Sequence, residues 1–177
     1  AAAVLRPFTA NGVSNIRLEN MTIDGEGTAT FAVAVATITR PIFRGLYITG
    51  IYGTSIYMDN CTSSLVSDIV LKSTGRTGGY AGIQLNANTA AGSANRVETI
   101  LGDDVTGRLV QLVGQDHSTV HNVMHIGVPK GEAVYFSGCT DCSGTMIRQY
   151  GGGFGPGGPP GHDGVAIDSG CVGCSLD

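Results

Sequence analysis

A short apolar triplet returns along this chain and constrains its fold more than any other feature. The copies are Ile56-Tyr57-Met58, Ile83-Gln84-Leu85, Val110-Gln111-Leu112, Val134-Tyr135-Phe136 and Val165-Ala166-Ile167, with first residues 27, 27, 24 and 31 positions apart. In each copy the outer residues are apolar and the middle one is free to face the other way, which is the period of a β-strand. Most copies run into a small polar or cysteine-bearing turn, as in Asp59-Asn60-Cys61, Asn86-Ala87-Asn88, Ser137-Gly138-Cys139 and Asp168-Ser169-Gly170-Cys171. A second apolar run follows several residues later, in Leu65 to Leu71, Val97 to Leu101, Val120 to Ile126 and Met146-Ile147. Self-similarity at a period of this size marks a solenoid, and strands with no helix between them make it a β-solenoid.

Composition agrees. Twenty-eight glycines and only 14% charged residues favour many turns over solvated helices. No long stretch carries the 3.6-residue apolar period of a bundle helix. With 177 residues, 42% of them apolar, the chain has enough material for one buried core. The net charge of −4 comes with no Lys/Arg cluster to neutralise phosphates, so nucleic acid is not an expected partner. No apolar run approaches membrane-spanning length, and the first residues lack the layout of a signal peptide. Five cysteines leave at least one thiol unpaired within the chain, which leans towards folding in a reducing compartment.

Taken in order, residues 1–12 read as a lead-in without clear period, and residues 13–177 as the repeating domain. From Asn15 onward the apolar positions are Ile16, Leu18, Met21 and Ile23. The step of three from Leu18 to Met21 predicts a bend between two short strands. Gly25 and Gly27 supply a turn, Phe31 to Ile38 is a β-branched run, and Ile42 to Ile51 repeats the two-strand pattern. Two stretches leave the period: the polar residues 72–79, and a Gly/Pro-rich loop at 151–164 that explains the longest spacing. Phe154 is the only large apolar side chain in that loop.

Segments such as Ser14-Asn15-Ile16-Arg17-Leu18-Glu19-Asn20-Met21-Thr22-Ile23-Asp24-Gly25, Gly82-Ile83-Gln84-Leu85-Asn86-Ala87-Asn88 and Val120-His121-Asn122-Val123-Met124-His125-Ile126 resemble the coils of the pectate-lyase-like superfamily. The resemblance covers roughly residues 13 to 174. It implies an all-β fold, a right-handed single-stranded parallel β-helix of about six to seven coils. Within that superfamily the chain is most similar to the β-helix domains of bacteriophage tail fibres and tailspikes. What the resemblance implies is a carbohydrate-facing rod on a virion tail, a surface polysaccharide as partner, a homotrimer or larger assembly, and no cofactor. The alternatives are a secreted polysaccharide lyase or glycoside hydrolase fragment, and a purely structural adhesin or spacer.

Several residues are candidates for chemistry. Glycoside hydrolysis needs two carboxylates facing one bond, and Asp24, Glu26, Asp103, Asp104 and Asp163 are available. Polygalacturonases of this fold carry an Asp-Asp pair, then Gly-His-Gly and Arg-Ile-Lys elements. Gly102-Asp103-Asp104 resembles the first, but Gly161-His162-Asp163 falls two coils later and Arg148-Gln149 departs from the last, so that active site is not carried over. Turn carboxylates are the preferred reading. Pectate lyases pair acidic calcium ligands with an arginine base, and Arg96 and Arg108 have no acidic cluster at coil spacing. His117, His121 and His125 recur every four residues, a spacing that gathers metal ligands on helices but not on strands. They read as outward polar residues first and as part of a glycan groove second, while Phe154, a further binding candidate, reads first as packing back on its own rod and second as an anchor for a partner. Cys139-x2-Cys142 and Cys171-x2-Cys174 have the internal spacing of zinc pairs, although 28 residues separate them. Stacking would set the pairs on neighbouring coils with α-carbons about 5 Å apart, within disulfide reach. Buried thiols are the leading reading, a disulfide the second and zinc the third.

Overall fold

The computed structural model describes residues 8–75, 80–87, 92–127, 131–150, 164–168 and 170–177. Among these, every regular element is a strand. In chain order they are β1 (Phe8–Asn11), β2 (Arg17–Ala36), β3 (Ile42–Asp59), β4 (Leu65–Lys72), β5 (Ala81–Asn86), β6 (Gly92–Ser93) and β7 (Arg96–Asp103). There follow β8 (Arg108–Val113), β9 (Gln115–Asp116), β10 (Thr119–Ile126), β11 (Val134–Ser137), β12 (Ser143–Gln149), β13 (Val165–Ile167) and β14 (Ser175–Leu176). Every pairing between them is parallel, and the chain winds as a β-solenoid of about five turns. The expected six to seven coils were too many. The terminal segments form only partial layers, with β1, β13 and β14 four, three and two residues long. At a strand spacing of about 4.8 Å, five turns extend ~24 Å along the axis.

Each turn has two broad faces and a narrow corner. The triplet face stacks β1, the C-terminal halves of β2 and β3, then β5, β8, β11 and β13. Its register is that of the sequence repeat: Ile56 pairs with Ile83, Ile83 with Val110, Val110 with Val134, and Val134 with Val165. Val33 extends the column above Ile56. Like residues therefore lie over like, and the side chains from Val33 to Val134 are wholly buried.

The second, bulged face stacks the N-terminal halves of β2 and β3, then β4, β7, β10, β12 and β14. Midway across it, Asn20, Gly45, Asp68, Thr99, Asn122 and Met146 all adopt positive φ between 53° and 61°. Each inserts one residue into the strand, so Leu18 and Met21, and likewise Val120 and Val123, face inward three positions apart. The predicted bend at Leu18–Met21 is this bulge.

The narrow corner is a column of bridged residues. Ser14 pairs with Thr39 and Thr39 with Thr62, β6 pairs with β9, and Asp116 pairs with Thr140 and Thr140 with Val172. Left-handed residues flank it on both sides, among them Thr37, Asn60 and Gly114 before the column, and Arg40, Ser63, His117 and Asp141 after it. Backbone amides cross these turns from layer to layer, for example Asn60 N to Asn86 O at 2.8 Å and His117 N to Thr140 O at 2.9 Å. These bonds satisfy the corner backbone and offset the steric cost of left-handed non-glycine residues. Among the described residues no helix is long and apolar enough to cross a membrane.

Candidate functional site

The middle residue of each triplet faces out. Tyr57 pairs with Gln84, Gln84 with Gln111, Gln111 with Tyr135, and Tyr135 with Ala166, which makes an outward ladder of aromatic and amide side chains. Asp59 and Asn86 form a second pair two residues further on. From Tyr57 to Tyr135 the ladder climbs three steps, about 14 Å.

Side-chain hydrogen bonds hold this surface in shape. Asn86 Nδ2 donates to Tyr57 Oη at 3.0 Å, and Gln84 Nε2 donates to Asn86 Oδ1 at 3.2 Å. Three steps below, Tyr135 Oη donates to Asp168 Oδ2 at 2.6 Å. Arg108 stacks its guanidinium 3.6 Å from the centre of the Tyr135 ring, while its Nε donates to Glu132 Oε2 at 2.8 Å. A cation over an aromatic face is attracted by the ring quadrupole, so Arg108 fixes the ring from one side and Asp168 fixes its hydroxyl. The hydrogen bond to Asp168 pushes the Tyr135 phenol up, with desolvation adding to it. Another aromatic borders the ladder, and a separate pair is exposed elsewhere. Phe31 lies 5.6 Å from Tyr57, and Tyr52 and Tyr80 are exposed with ring centres 6.5 Å apart.

The exterior of the bulged face is chemically different. It carries the ion pairs Arg44–Asp68, Lys72–Asp103 and Arg96–Glu98. Such solvated pairs contribute little energy and leave their partners mutually occupied.

The expected site residues fall in separate places. Asp103 faces Lys72 at 3.5 Å, and Asp104, in a left-handed turn at φ 57°, accepts from Ser73 Oγ at 3.4 Å. Asp24 caps its own turn by accepting from Glu26 N at 2.9 Å. His117 sits on the corner with Nδ1 2.7 Å from Asp116 Oδ1, and exposed His121 meets Thr145 Oγ1 at 2.7 Å. His125 is a correction: it was expected outside and is fully buried. The bulge at Asn122 reverses the alternation, so His125 faces inward with Val123. Its Nε2 donates to Val105 O at 3.0 Å, its Nδ1 has no hydrogen-bond partner among the described residues, and desolvation holds its pKa below the ordinary value. Asp163 and Phe154 lie outside the described residues. The residues missed in the sequence are those of the outward ladder and its braces. Their signal was the polar or aromatic middle position of every triplet but the last.

Inside the corner lies a second cluster. Asn95 is the hub of its upper part, accepting from Ser64 N and Oγ and donating to Cys61 O and Gln115 Oε1 at 2.7 to 3.0 Å. Below it come Cys139 and Cys142, wholly buried, and then Cys171 and Cys174, half-buried, all of them free thiols. The two buried sulfurs lie against backbone carbonyls, Cys139 Sγ 3.4 Å from Leu112 O and Ser137 O, and Cys142 Sγ 3.5 Å from Gln115 O and Thr140 O. The interaction between these two neighbouring thiols draws Cys139 down against the effect of burial and pushes Cys142 up. Among the described residues, these cysteines included, no group of three or more His, Cys, Asp or Glu side chains is arranged to hold a metal ion.

Neither a family model, nor a curated protein, nor a solved structure matches the chain.

Proposed function

We propose that the outward ladder of the triplet face binds carbohydrate, and that the rod is the glycan-facing segment of a larger fibrous assembly. The observation that carries this reading is the row Tyr57, Gln84, Gln111 and Tyr135, one residue per turn, flanked by Asn86, Arg108 and Asp168. A sugar offers an apolar ring face to stack on aromatics and hydroxyls to bond amides and carboxylates, and this row supplies both at a regular spacing. Gln84 donates to Asn86, and because a side-chain amide carries two N–H groups and two lone pairs, one such bond does not exhaust either group. The bulged face, by contrast, presents salt-bridged charges. A bacteriophage tail fibre or tailspike is the assembly we favour, with a surface polysaccharide as ligand and three chains side by side.

Binding to a panel of bacterial surface polysaccharides tests the reading. We expect Gln111→Ala and Tyr57→Ala each to weaken binding at least about tenfold, as losing one or two hydrogen bonds or a stacked ring would. Circular dichroism should be unchanged. Binding to none of the panel, or binding indifferent to both substitutions, would overturn the proposal. An assay for reducing ends or unsaturated products separates a binder from a lyase or hydrolase. Light scattering reads the trimer directly.

A further inference from the structure

The corner thiols are not used by the glycan-binding surface, and their arrangement points to a separate chemistry. Thr140 and Val172 are bridged, and Val172 N donates to Cys139 O at 2.9 Å, so the two Cys-x2-Cys segments stack in register. Stacked strands hold their α-carbons about 5 Å apart, inside the range that a disulfide spans. Within the stack each sulfur touches the backbone of the layer before it. Cys171 Sγ accepts the backbone N–H of Cys139 at 3.3 Å, which sets the Cys171 sulfur directly against its stacked partner. Cys139 and Cys142 both lean towards the layer before them, Cys139 Sγ lying 3.4 Å from Leu112 O and Cys142 Sγ 3.4 Å from Ser118 N and 3.5 Å from Gln115 O. Cys174 Sγ rests on Cys139 O at 3.4 Å.

We propose that Cys139 and Cys171 are a redox staple: in the presence of a low-molecular-weight disulfide they join, locking the final partial layer to the turn before it. Accessibility sets the order of events. Cys171 is half-buried and meets the reagent first, whereas Cys139 is sealed beneath it. Cys171 loses its proton to solvent, and its thiolate attacks one sulfur of oxidised glutathione. That breaks the glutathione S–S bond, releases one glutathione thiolate and leaves a mixed disulfide on Cys171. The Cys139 thiolate then attacks the Cys171 sulfur and expels the second glutathione thiolate. Two protein thiols are oxidised, one disulfide is reduced to two thiols, and the number of S–S bonds is unchanged. Cys139 suits the second step because it is the residue stacked on Cys171, with its backbone N–H already on the Cys171 sulfur, and its own thiol proton passes to the glutathione thiolate released first. The staple stays open in reducing surroundings and closes in oxidising ones.

Trypsin reads the result cleanly. Its cleavage sites at Lys130 and Arg148 place Cys139 and Cys142 in residues 131–148 and Cys171 and Cys174 in residues 149–177. The full chain, reduced and then treated with oxidised glutathione, should fall from five free thiols to three. Its unreduced digest should then contain those two peptides joined. Cys171→Ser, a half-buried and structurally mild change, should abolish the joined species, and Cys174→Ser should keep it. Disulfides confined within either peptide, or a crosslink surviving in Cys171→Ser, would overturn the assignment. So would glutathione adducts alone, or stoichiometric zinc on the reduced chain.

Discussion

Two inward columns run the length of the same rod and meet the demand for burial in different ways. On the triplet face, Val33, Ile56, Ile83, Val110, Val134 and Val165 stack as one unbroken β-branched series. On the bulged face the corresponding column runs Ile23, Ile48, Leu71, Gly102, His125 and Gln149, turning from aliphatic to polar on the way down. The polar members have one habit in common. His125 donates to Val105 O, and Gln149 bonds Ala133 N and Gly131 O, so each reaches back to the backbone that leads from the bulged face into the triplet face. Gly102 yields its space to Leu109 in that same stretch, where a Cβ would lie 2.9 Å from Leu109 Cδ2. The second column thus borders the connections whose lengths vary between turns. Its residues change because each must fit a different connection, whereas the first column meets only its own kind. Repetition is enforced where a layer contacts layers, and relaxed where it contacts loops.

The largest expected effect follows from the invariant column. Ile83 is fully buried between Ile56 and Val110, so Ile83→Ala opens a cavity in the middle of the stack. Urea denaturation should show a loss of about 3 kcal/mol, typical of a large-to-small change that neighbours cannot fill. A loss below about 1 kcal/mol would mean that adjacent layers slide to close the gap, and the distinction between the columns would fail.

The variable column makes a different prediction, at pH rather than at a cavity. Burial holds the His125 pKa below its ordinary value, so the unfolded chain binds a proton that the folded chain refuses. Stability therefore rises with pH in that window and is fully present above about 6.5, the unfolded value. As pH falls from there towards the folded value, His125 should remove up to about 1.4 kcal/mol per pH unit. His125→Leu restores the aliphatic type of Ile48 and Leu71 at the cost of one hydrogen bond to Val105. At pH 7 it should stand within about 1.5 kcal/mol of the parent, the worth of one such bond. Between pH 6.5 and 5 its unfolding midpoint should fall less steeply than the parent's. Parallel pH profiles for the two proteins would show that His125 is not the group responsible.

These contrasts also explain what could be read in the chain. The triplets were legible because one column repeats both residue type and register, so a period in sequence became a stack in space. The bulge was legible at Leu18–Met21, where two apolar side chains three apart announce it. The same step stands at Val120–Val123, and continuing it two residues puts His125 inside. That inference was masked by the four-residue recurrence of histidines, which draws attention to a spacing that means little on strands. The outward ladder was visible only as a middle position free to face away, because its braces join residues far apart in sequence, such as Tyr135 and Asp168. Asp103 and Asp104 drew attention as an adjacent acidic pair, a pattern that a left-handed turn also favours for reasons of backbone shape alone.

The smallest effect belongs to the bulge, and it runs towards greater stability. Along that column Asn20, Gly45, Asp68 and Asn122 are residue types that accept positive φ, whereas Thr99 is β-branched, exposed and held at φ 57°. Its Cβ substituents crowd the backbone in that conformation, a cost of about 1 kcal/mol that asparagine largely avoids. Thr99→Asn should therefore raise stability by roughly 0.5–1 kcal/mol in urea without altering glycan binding. The bulge is set by stacking against Asp68 and Asn122 in the layers on either side, so changing one member relieves local strain and leaves the fold's geometry intact. If Thr99→Asn destabilises the chain instead, its hydroxyl or methyl is contributing to the surface of β7, and the bulge column would be selected residue by residue, as the variable core column is.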